Sequence, residues 1–316
     1  MMSTAAKKLP AGAWDSHVHV FDSTLGPFSP SRSYTPAQAP LSQLLDFSTH
    51  LSVGNTPSNL VIVQPSPYGF DNTILLSLLK AAPSYTTRSV RGIAVIDIDK
   101  VGEAELISMH ELGVRGLRLN AQASGHAVDI EAVRSLMVKS AWLIKDLPGW
   151  KLQIFAPAYI WDDLYDCVHN LPVTVILDHL GGLKGASKLS QDSPHGVQQR
   201  GFTSIVKLAQ ESKVLVKISG LYRASTEGKS GYSDLEPIIR KLAKEVPDRL
   251  IWGSDWPHTG EGANRLDRNL EGIEPFRVID NGLILKNLWQ WVDCEKTWRK
   301  MMVETPAATF LACLAQ

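Results

Sequence analysis

The sequence has no excess of charge of either sign, because 32 lysines and arginines balance 32 aspartates and glutamates among its 316 residues. A chain that is neutral overall has no broad electrostatic attraction for nucleic acid or for an anionic membrane surface, so we expect neither as a partner. The sequence also lacks an uninterrupted apolar run of the roughly 18 to 20 residues that a membrane-spanning helix needs. Any attraction for an anion must therefore be local.

Cysteine is scarce as well. Cys167, Cys294 and Cys313 are odd in number and widely scattered, which is typical of reduced intracellular thiols and not of a disulfide framework or a metal motif. Residues 1–12 contain two lysines but no apolar stretch of a secretory signal. We therefore expect a cytoplasmic protein with a flexible N-terminal segment over residues 1–12; a homo-oligomer stays open.

Short apolar runs rich in β-forming residues alternate with segments of helical periodicity. Eight such runs predict strands at Ala13–Val20, Asn59–Ser66, Val90–Asp97, Val114–Asn120, Lys151–Pro157, Pro172–Leu180, Lys213–Gly220 and Leu250–Trp256. Helices are predicted between them at Leu75–Ala82, Ala104–Gly113, Ile130–Ile144, Phe202–Glu211 and Leu235–Glu245. Strands that alternate with helices pair in parallel, and one (β/α)8 barrel spanning residues 1–316 is the simplest closure for a chain of this length.

In such a barrel the active site lies at the carboxyl ends of the strands. Four long segments follow predicted strands and are rich in Gly, Pro or Ser: Thr24–Pro40, Gly181–Gln199, Tyr222–Ser233 and Thr259–Glu274. Long loops at one end of a barrel usually carry lids and specificity. We expect these loops to cover the site.

The stretch LIWGSDWPH places Asp255 at the end of the last predicted strand. Strand alternation puts Ile251, Gly253 and Asp255 on one face, so the carboxylate follows an otherwise buried strand. An acid in that position needs either a cationic partner or a chemical role.

His17 and His19 lie two residues apart on the first predicted strand, so both imidazoles point to the same face. A pair of hydrogen-bonded core histidines would explain them structurally. The nearby Asp15 and the carboxylate at the end of the last strand favour an active site.

His179 lies in VTVILDHLGG, where alternation predicts that it shares a face with Val175 and Leu177. A lone histidine is more often structural. In a barrel, however, this strand lies opposite the first, which would place His179 across the cavity from His17 and His19.

Arg118 and Asn120 share one face of the strand VRGLRLN. An inward arginine is costly unless it meets an anion, which is either a protein carboxylate or a substrate carboxylate. Arg223, in ISGLYR, is a candidate second clamp. Tyr34 and Ser66, on loops after the first two strands, are either turn residues or substrate contacts.

The ordered motifs WDSHVHVFD, RSYTP, VIVQPSPYG, GVRGLRLN, ILDHLGG, VKISGLYR and LIWGSDWPH resemble the amidohydrolase superfamily in its amidohydrolase-2 branch. Within that branch the sequence is most similar to the lactone hydrolases, which include enzymes of 2-pyrone-4,6-dicarboxylate and of sugar-acid lactones. The resemblance runs from about Ala13 to Phe310. It implies a hydrolase of aromatic or sugar-acid catabolism that opens a small anionic lactone.

The resemblance also implies roles for individual residues. Asp255 would be the general base that activates water, and His17, His19 and His179 would polarise the lactone carbonyl. The residues that would bind the substrate are Tyr34, Ser66, Arg118, Asn120, Arg223 and His258.

Two departures bear on a metal. Metal-dependent members usually have a histidine at the end of the fifth strand, but this strand reads KLQIFAP, and the fourth ends in Asn120 without a carboxylate or lysine. We therefore expect no required cofactor. The alternative is a zinc-dependent decarboxylase or hydrolase of the same branch, with zinc held by His17, His19, Asp255 and, as an additional ligand, His179. Lactonases of this type also have a further basic residue soon after the fourth strand, where residues 121–127 offer only His126.

Overall fold

The computed structural model describes residues 7–121, 128–193, 196–261 and 270–311. Its main sheet has eight parallel strands in sequential order: β1 Trp14–Val18, β2 Asn59–Val63, β3 Val90–Ala94, β4 Val114–Asn120, β5 Lys151–Phe155, β6 Val175–Leu177, β7 Val214–Ile218 and β8 Leu250–Trp252. A parallel bridge between Val18 and Trp256 joins the last strand region to the first. The predicted (β/α)8 barrel is confirmed.

Alternate residues of six strands, β1 to β3 and β6 to β8, pack into two separate apolar layers, as expected in a barrel. The inner cluster fills the amino-terminal half of the barrel and consists of Trp14, Val61, Val63, Ile93, Ile176, Leu215, Ile251 and Phe310. The strand residues between them, such as Leu117 and Leu177, belong to the larger outer cluster that includes the helices. This alternation decides which polar side chains enter the barrel.

The helices of the outer layer are Leu41–Leu51, Thr73–Tyr85, Glu103–Leu112, Ile130–Ile144, Ile160–Asp163, Tyr165–His169, Phe202–Gln210, Leu221–Ala224, Glu236–Glu245, Asn281–Val292, Glu295–Arg299 and Thr305–Leu311, with a π-helix at Lys300–Glu304. The five predicted helices are confirmed within two or three residues. The helices after residue 280 were not predicted. Among the described residues, every helix is too short or too polar to cross a membrane.

Two of the predicted long loops meet over the carboxyl end of the barrel. Thr35–Pro36 pairs in parallel with Ile273–Glu274, which ties the loop after β1 to the loop after β8. Several predictions lie partly or wholly outside the described residues: the N-terminal segment at residues 1–6, His126, parts of the loops Gly181–Gln199 and Thr259–Glu274, and Cys313.

Candidate active site

Asp255 lies just beyond β8 and is fully buried at the centre of the carboxyl end. Its Oδ2 accepts hydrogen bonds from the Tyr222 hydroxyl at 2.6 Å and from Arg223 Nε at 2.7 Å. Its Oδ1 has no hydrogen-bond partner among the residues that the structure describes. Burial alone would raise the pKa of Asp255, but the charge of Arg223 outweighs it and holds the pKa well below its usual range. The carboxylate is therefore ionised at neutral pH, with one oxygen free.

The two histidines of β1 converge on that free oxygen. His17 Nε2 lies 3.6 Å and His19 Nε2 lies 3.7 Å from Asp255 Oδ1, and the two nitrogens are 3.3 Å apart. His19 Nδ1 donates to the Val63 carbonyl at 2.8 Å. Burial lowers the pKa of each imidazole to about 3, so both rings are neutral. The prediction that they share a face with each other is confirmed.

His179 reaches the same place, but by a route that alternation did not predict. Val175 and Leu177 face the outer layer, so the prediction that His179 shares their face is wrong. β6 ends at Leu177, and His179 and Leu180 take left-handed backbone conformations with φ of 52° and 60°. This turn brings the His179 ring to 4.9 Å from the ring of His17, with Nδ1 2.9 Å from Ser219 Oγ.

Two glycines allow the close approach of these groups. A Cβ on Gly220, whose φ is +55°, would lie 2.7 Å from His179 Nδ1 and 2.8 Å from Asp255 Oδ2. A Cβ on Gly253 would lie 2.7 Å from the His17 backbone nitrogen. Any side chain at either position would push the catalytic candidates apart.

Arg118 points into the barrel, as its strand position predicts. Its Nε lies 3.6 Å from Asp178 Oδ2, which is too long for a hydrogen bond, and this buried nitrogen has no hydrogen-bond partner within the described part of the chain. The protein carboxylate thus satisfies Arg118 only partly. Asn120, half-buried, ends the same strand at the rim of the site.

Arg223 is held by the protein. Besides the contact with Asp255, its NH1 donates to the Gly260 carbonyl at 3.2 Å and its NH2 to Thr259 Oγ1 at 2.8 Å. These bonds place the guanidinium behind the carboxylate, where it stabilises the ionised form. Its predicted role as a substrate clamp stays a prediction.

The other three predicted substrate-binding residues lie on segments that follow the strands. Tyr34 is buried and close enough to Arg223 to affect its pKa. Ser66 starts a short 3-10 helix directly after β2 and is half-buried. His258 is buried behind Asp255, edge-on to the Tyr222 ring at 5.8 Å between centroids, with its pKa lowered by burial to about 4.

The barrel interior also contains a polar group that was not predicted. Asp178, Lys217 and Gln153 are all fully buried and contact one another beneath His17. Strand alternation carries the signal, because Asp178 follows the inward Ile176 and Lys217 follows the inward Leu215 at a spacing of two.

The ligand atoms of His17, His19 and Asp255 have the spacing of a metal site. A tetrahedral zinc site with bonds of about 2.0 to 2.2 Å has ligand atoms about 3.3 to 3.6 Å apart, and the three separations here are 3.3, 3.6 and 3.7 Å. A second group, His17, Asp178 and His179, is similarly close. The first set, with the unbonded Asp255 Oδ1, would suit a divalent metal by distance.

The comparisons with known proteins agree on one family, and the relatives with similar sequences include lactone hydrolases. The amidohydrolase family profile matches residues 14–310. The chain is 31% identical to a 2-pyrone-4,6-dicarboxylate hydrolase of Comamonas testosteroni, over 95% of this chain and 90% of the relative. It is 28% identical to a 4-sulfomuconolactone hydrolase of Rhizobium radiobacter, over 96% of this chain and 91% of that protein.

A solved structure gives the same result in three dimensions. The crystal structure of a putative 2-pyrone-4,6-dicarboxylic acid hydrolase from Pseudomonas putida superposes with a TM-score of 0.70 at 27% identity, over 96% of this chain and 98% of that one. The likeness therefore covers the whole barrel.

Proposed function

The chain belongs to the amidohydrolase family, and from that premise we propose that it is a hydrolase that opens a small carboxylated lactone, similar to 2-pyrone-4,6-dicarboxylate or a sugar-acid lactone. The observation that carries the proposal is the ionised Asp255, whose free Oδ1 faces His17 and His19. A lactone is a cyclic ester, and its hydrolysis needs a base for water and donors for the developing oxyanion.

Asp255 acts as the general base. Its Oδ1 takes a proton from water while the water oxygen bonds to the lactone carbonyl carbon. The ring C–O bond then breaks, and the proton held by Asp255 passes to the leaving oxygen. Tyr222 and Arg223 hold Oδ2 throughout, so that Oδ1 stays aimed at the water.

His17, His19 and His179 form the wall against which the carbonyl oxygen lies. His17 and His179 supply the N–H donors, because the single N–H of neutral His19 is already bonded to the Val63 carbonyl. One well-placed donor to an oxyanion is worth about 2.7 to 4 kcal/mol in a well-studied case. Burial keeps the three rings neutral by lowering their pKa values. The donors therefore work without a positive charge that would weaken Asp255.

Arg118 binds a ring carboxylate, because it is a buried guanidinium whose Nε no described residue satisfies. Substrate binding also uses Asn120 at the strand end, Tyr34 and Ser66 on the loops, and His258 and Arg223 around the base. These contacts orient the ring, so they supply proximity and not chemistry.

Metal independence rests on charge. Asp255 is paired with Arg223 and Asp178 with Lys217, which leaves Arg118 as a surplus cation that favours an anionic substrate over a dication. If zinc were bound, His17, His19 and Asp255 would hold it, and it would lower the pKa of a bound water. A zinc-dependent decarboxylase or hydrolase is the second candidate because the three ligand atoms lie 3.3 to 3.7 Å apart, close to the spacing of a tetrahedral site.

The partners follow from this chemistry. The substrate is a small anion from aromatic or sugar-acid catabolism, and no nucleic acid or membrane is involved. We place the protein in the cytoplasm, on the argument from scattered thiols, and leave a homo-oligomer to be measured.

Hydrolysis of a lactone panel tests the proposal. The panel pairs 2-pyrone-4,6-dicarboxylate, a muconolactone and a sugar-acid lactone with uncharged analogues. We expect turnover of at least one carboxylated lactone and much slower turnover of its analogue. Equal rates for the two members of every pair, or release of carbon dioxide instead of ring opening, would contradict it.

A further inference from the structure

Lys217 lies on the inner face of β7, beneath the histidines, and is completely buried. Its Nζ is 2.7 Å from Gln153 Oε1, 3.0 Å from Asp178 Oδ1 and 3.2 Å from His17 Nδ1. The lactonase mechanism above assigns it no step. A buried cation in contact with a catalytic candidate needs an explanation.

The hydrogen bonds around Lys217 fix which atoms donate. Gln153 Nε2 donates to Asp178 Oδ2 at 2.9 Å, so the amide oxygen of Gln153 must face Lys217. Burial lowers the pKa of Lys217 and opposes ionisation of Asp178, but the two groups lie 3.0 Å apart and the Lys217 charge holds the pKa of Asp178 well below its usual range. We therefore take the pair as a carboxylate and an ammonium. An ammonium has three N–H groups: Lys217 donates one to Gln153 Oε1 and one to His17 Nδ1. Its third N–H is left for Asp178 Oδ1, an ion-pair contact at 3.0 Å that does not have hydrogen-bond geometry.

The hydrogen bond from Lys217 to His17 decides the tautomer of His17. If Nδ1 accepts from Lys217, the ring proton lies on Nε2, which points at His19 Nε2 3.3 Å away. His19 Nδ1 donates to the Val63 carbonyl, so His19 Nε2 carries a lone pair and can accept. Every donor in this chain from Lys217 to Val63 then has an acceptor.

The other tautomer is worse in two respects. A proton on His17 Nδ1 would face Asp178 Oδ1 at 3.3 Å, but it would leave one Lys217 N–H without an acceptor. It would also set two lone pairs against each other, on His17 Nε2 and His19 Nε2. That second arrangement is the one a divalent metal needs, because a metal binds the unprotonated nitrogen.

We propose that Lys217 is a positioning residue that keeps His17 in the Nε2–H tautomer. In this tautomer His17 Nε2 can donate a hydrogen bond during catalysis but cannot bind a divalent metal. The claim that this tautomer supports catalysis rests on the proposed function. The claims about the tautomer itself and about metal binding do not. Removing the ammonium would free Asp178 to accept from His17 Nδ1, which is the carboxylate–histidine arrangement that supports metal-binding histidines.

The test compares wild type with Lys217→Met and with the control Lys213→Met, which makes the same chemical change four residues earlier on a partly exposed lysine. In 15N-histidine-labelled protein, with His17→Gln to assign the signals, we expect His17 protonated at Nε2 in wild type and at Nδ1 in Lys217→Met. Zinc affinity, titrated by calorimetry, should rise about tenfold or more in Lys217→Met. Lactone turnover without zinc should fall about 100-fold in kcat, with KM nearly unchanged.

The variant Lys217→Met/Asp178→Asn guards against a folding failure, because it removes both buried charges together. We expect it to fold, to lose turnover as the single variant does, and to gain no zinc affinity, since no carboxylate then supports His17. Nδ1 protonation of His17 in wild type would overturn the inference, as would unchanged zinc affinity in a folded Lys217→Met. Failure of the proposed function would instead leave both tautomer and zinc results intact while every lactone stayed unhydrolysed.

Discussion

The two halves of the barrel interior differ in chemistry. The amino-terminal half is an apolar plug, closed by Phe310 packing on Trp14 with ring centroids 5.8 Å apart. The carboxyl half buries charged and polar side chains: His17, His19, Gln153, Asp178, His179, Lys217 and Asp255. The first half gains free energy by removing apolar surface from water. The carboxyl half costs free energy because charged groups are removed from water. Hydrogen bonds and ion pairs offset part of that cost, and the remainder is retained for function.

This division predicts that damage to one half should not imitate damage to the other. Substitutions above the plug should change turnover, and substitutions within it should change the free energy of unfolding. The four predictions below test that separation, in order of decreasing expected effect.

Asp255→Asn should have the largest effect. The amide cannot take a proton from water, so we expect kcat to fall about 10³- to 10⁴-fold while KM for the lactone changes little. Asp248→Asn, which alters an exposed carboxylate before the start of β8, is the matched control and should retain full activity. Near-normal turnover by Asp255→Asn would remove the general base from the mechanism.

Phe310→Ala should destabilise the plug without touching the chemistry. Loss of this fully buried ring should reduce the free energy of unfolding by about 3 to 5 kcal/mol, with kcat close to wild type below the melting temperature. Phe70→Ala, at an exposed ring, should stay within about 0.5 kcal/mol. Denaturant titration gives the first quantity; a large fall in kcat at native conditions would break the separation of the two halves.

Asp15→Asn should reveal that burial of the Asp15 carboxyl makes the free energy of unfolding depend on pH. Burial raises the pKa of Asp15 to about 7, and its Oδ1 accepts from the Ser254 backbone N–H at 2.8 Å, which Asn can also satisfy. As pH rises from about 4 to 7, the unfolded carboxyl ionises while the folded one keeps its proton, so wild type loses stability over that window. Asp15→Asn lacks this loss.

We therefore expect the stability of Asp15→Asn relative to wild type to increase by about 3 kcal/mol between pH 4.5 and pH 7.5. Unfolding curves at the two pH values measure it. A difference that does not vary with pH would mean that Asp15 has an ordinary pKa.

Arg118→Met should affect binding more than chemistry. Losing a buried partner for a substrate carboxylate costs about 2 kcal/mol at the low end, so KM for carboxylated lactones should rise about 30-fold. The uncharged analogues serve as the internal control and should show little change. An equal rise for both classes would mean that Arg118 supports the fold through Asp178 and does not bind substrate.

The sequence was sufficient where local periodicity decides the outcome. Eight apolar runs alternating with helical segments predicted the barrel, and alternation within the strands placed His17, His19 and Arg118 correctly in the interior. It failed at His179, because the strand ends two residues earlier and the left-handed turn at His179 and Leu180 reverses the expected side. Backbone turns of this kind depend on tertiary packing that no local pattern records.

Two further features of the site differ in whether the sequence pattern could have predicted them. Lys217 and Asp178 alternate with inward apolar residues, so their burial was readable but was missed. The pairing of Arg223 with Asp255 could not be predicted from the sequence pattern. It depends on the turn at Gly220 and on contacts from Thr259 and Gly260, which lie far along the chain.

The most direct test of the central claim, that the buried polar half catalyses lactone hydrolysis with its own side chains, is turnover as a function of metal content. Wild-type protein would be stripped with chelator, its zinc measured by mass spectrometry, and its kcat on a carboxylated lactone followed as zinc is added back. The account predicts the same kcat in stripped and refilled protein. Activity that is absent after stripping and rises in proportion to bound zinc would contradict it.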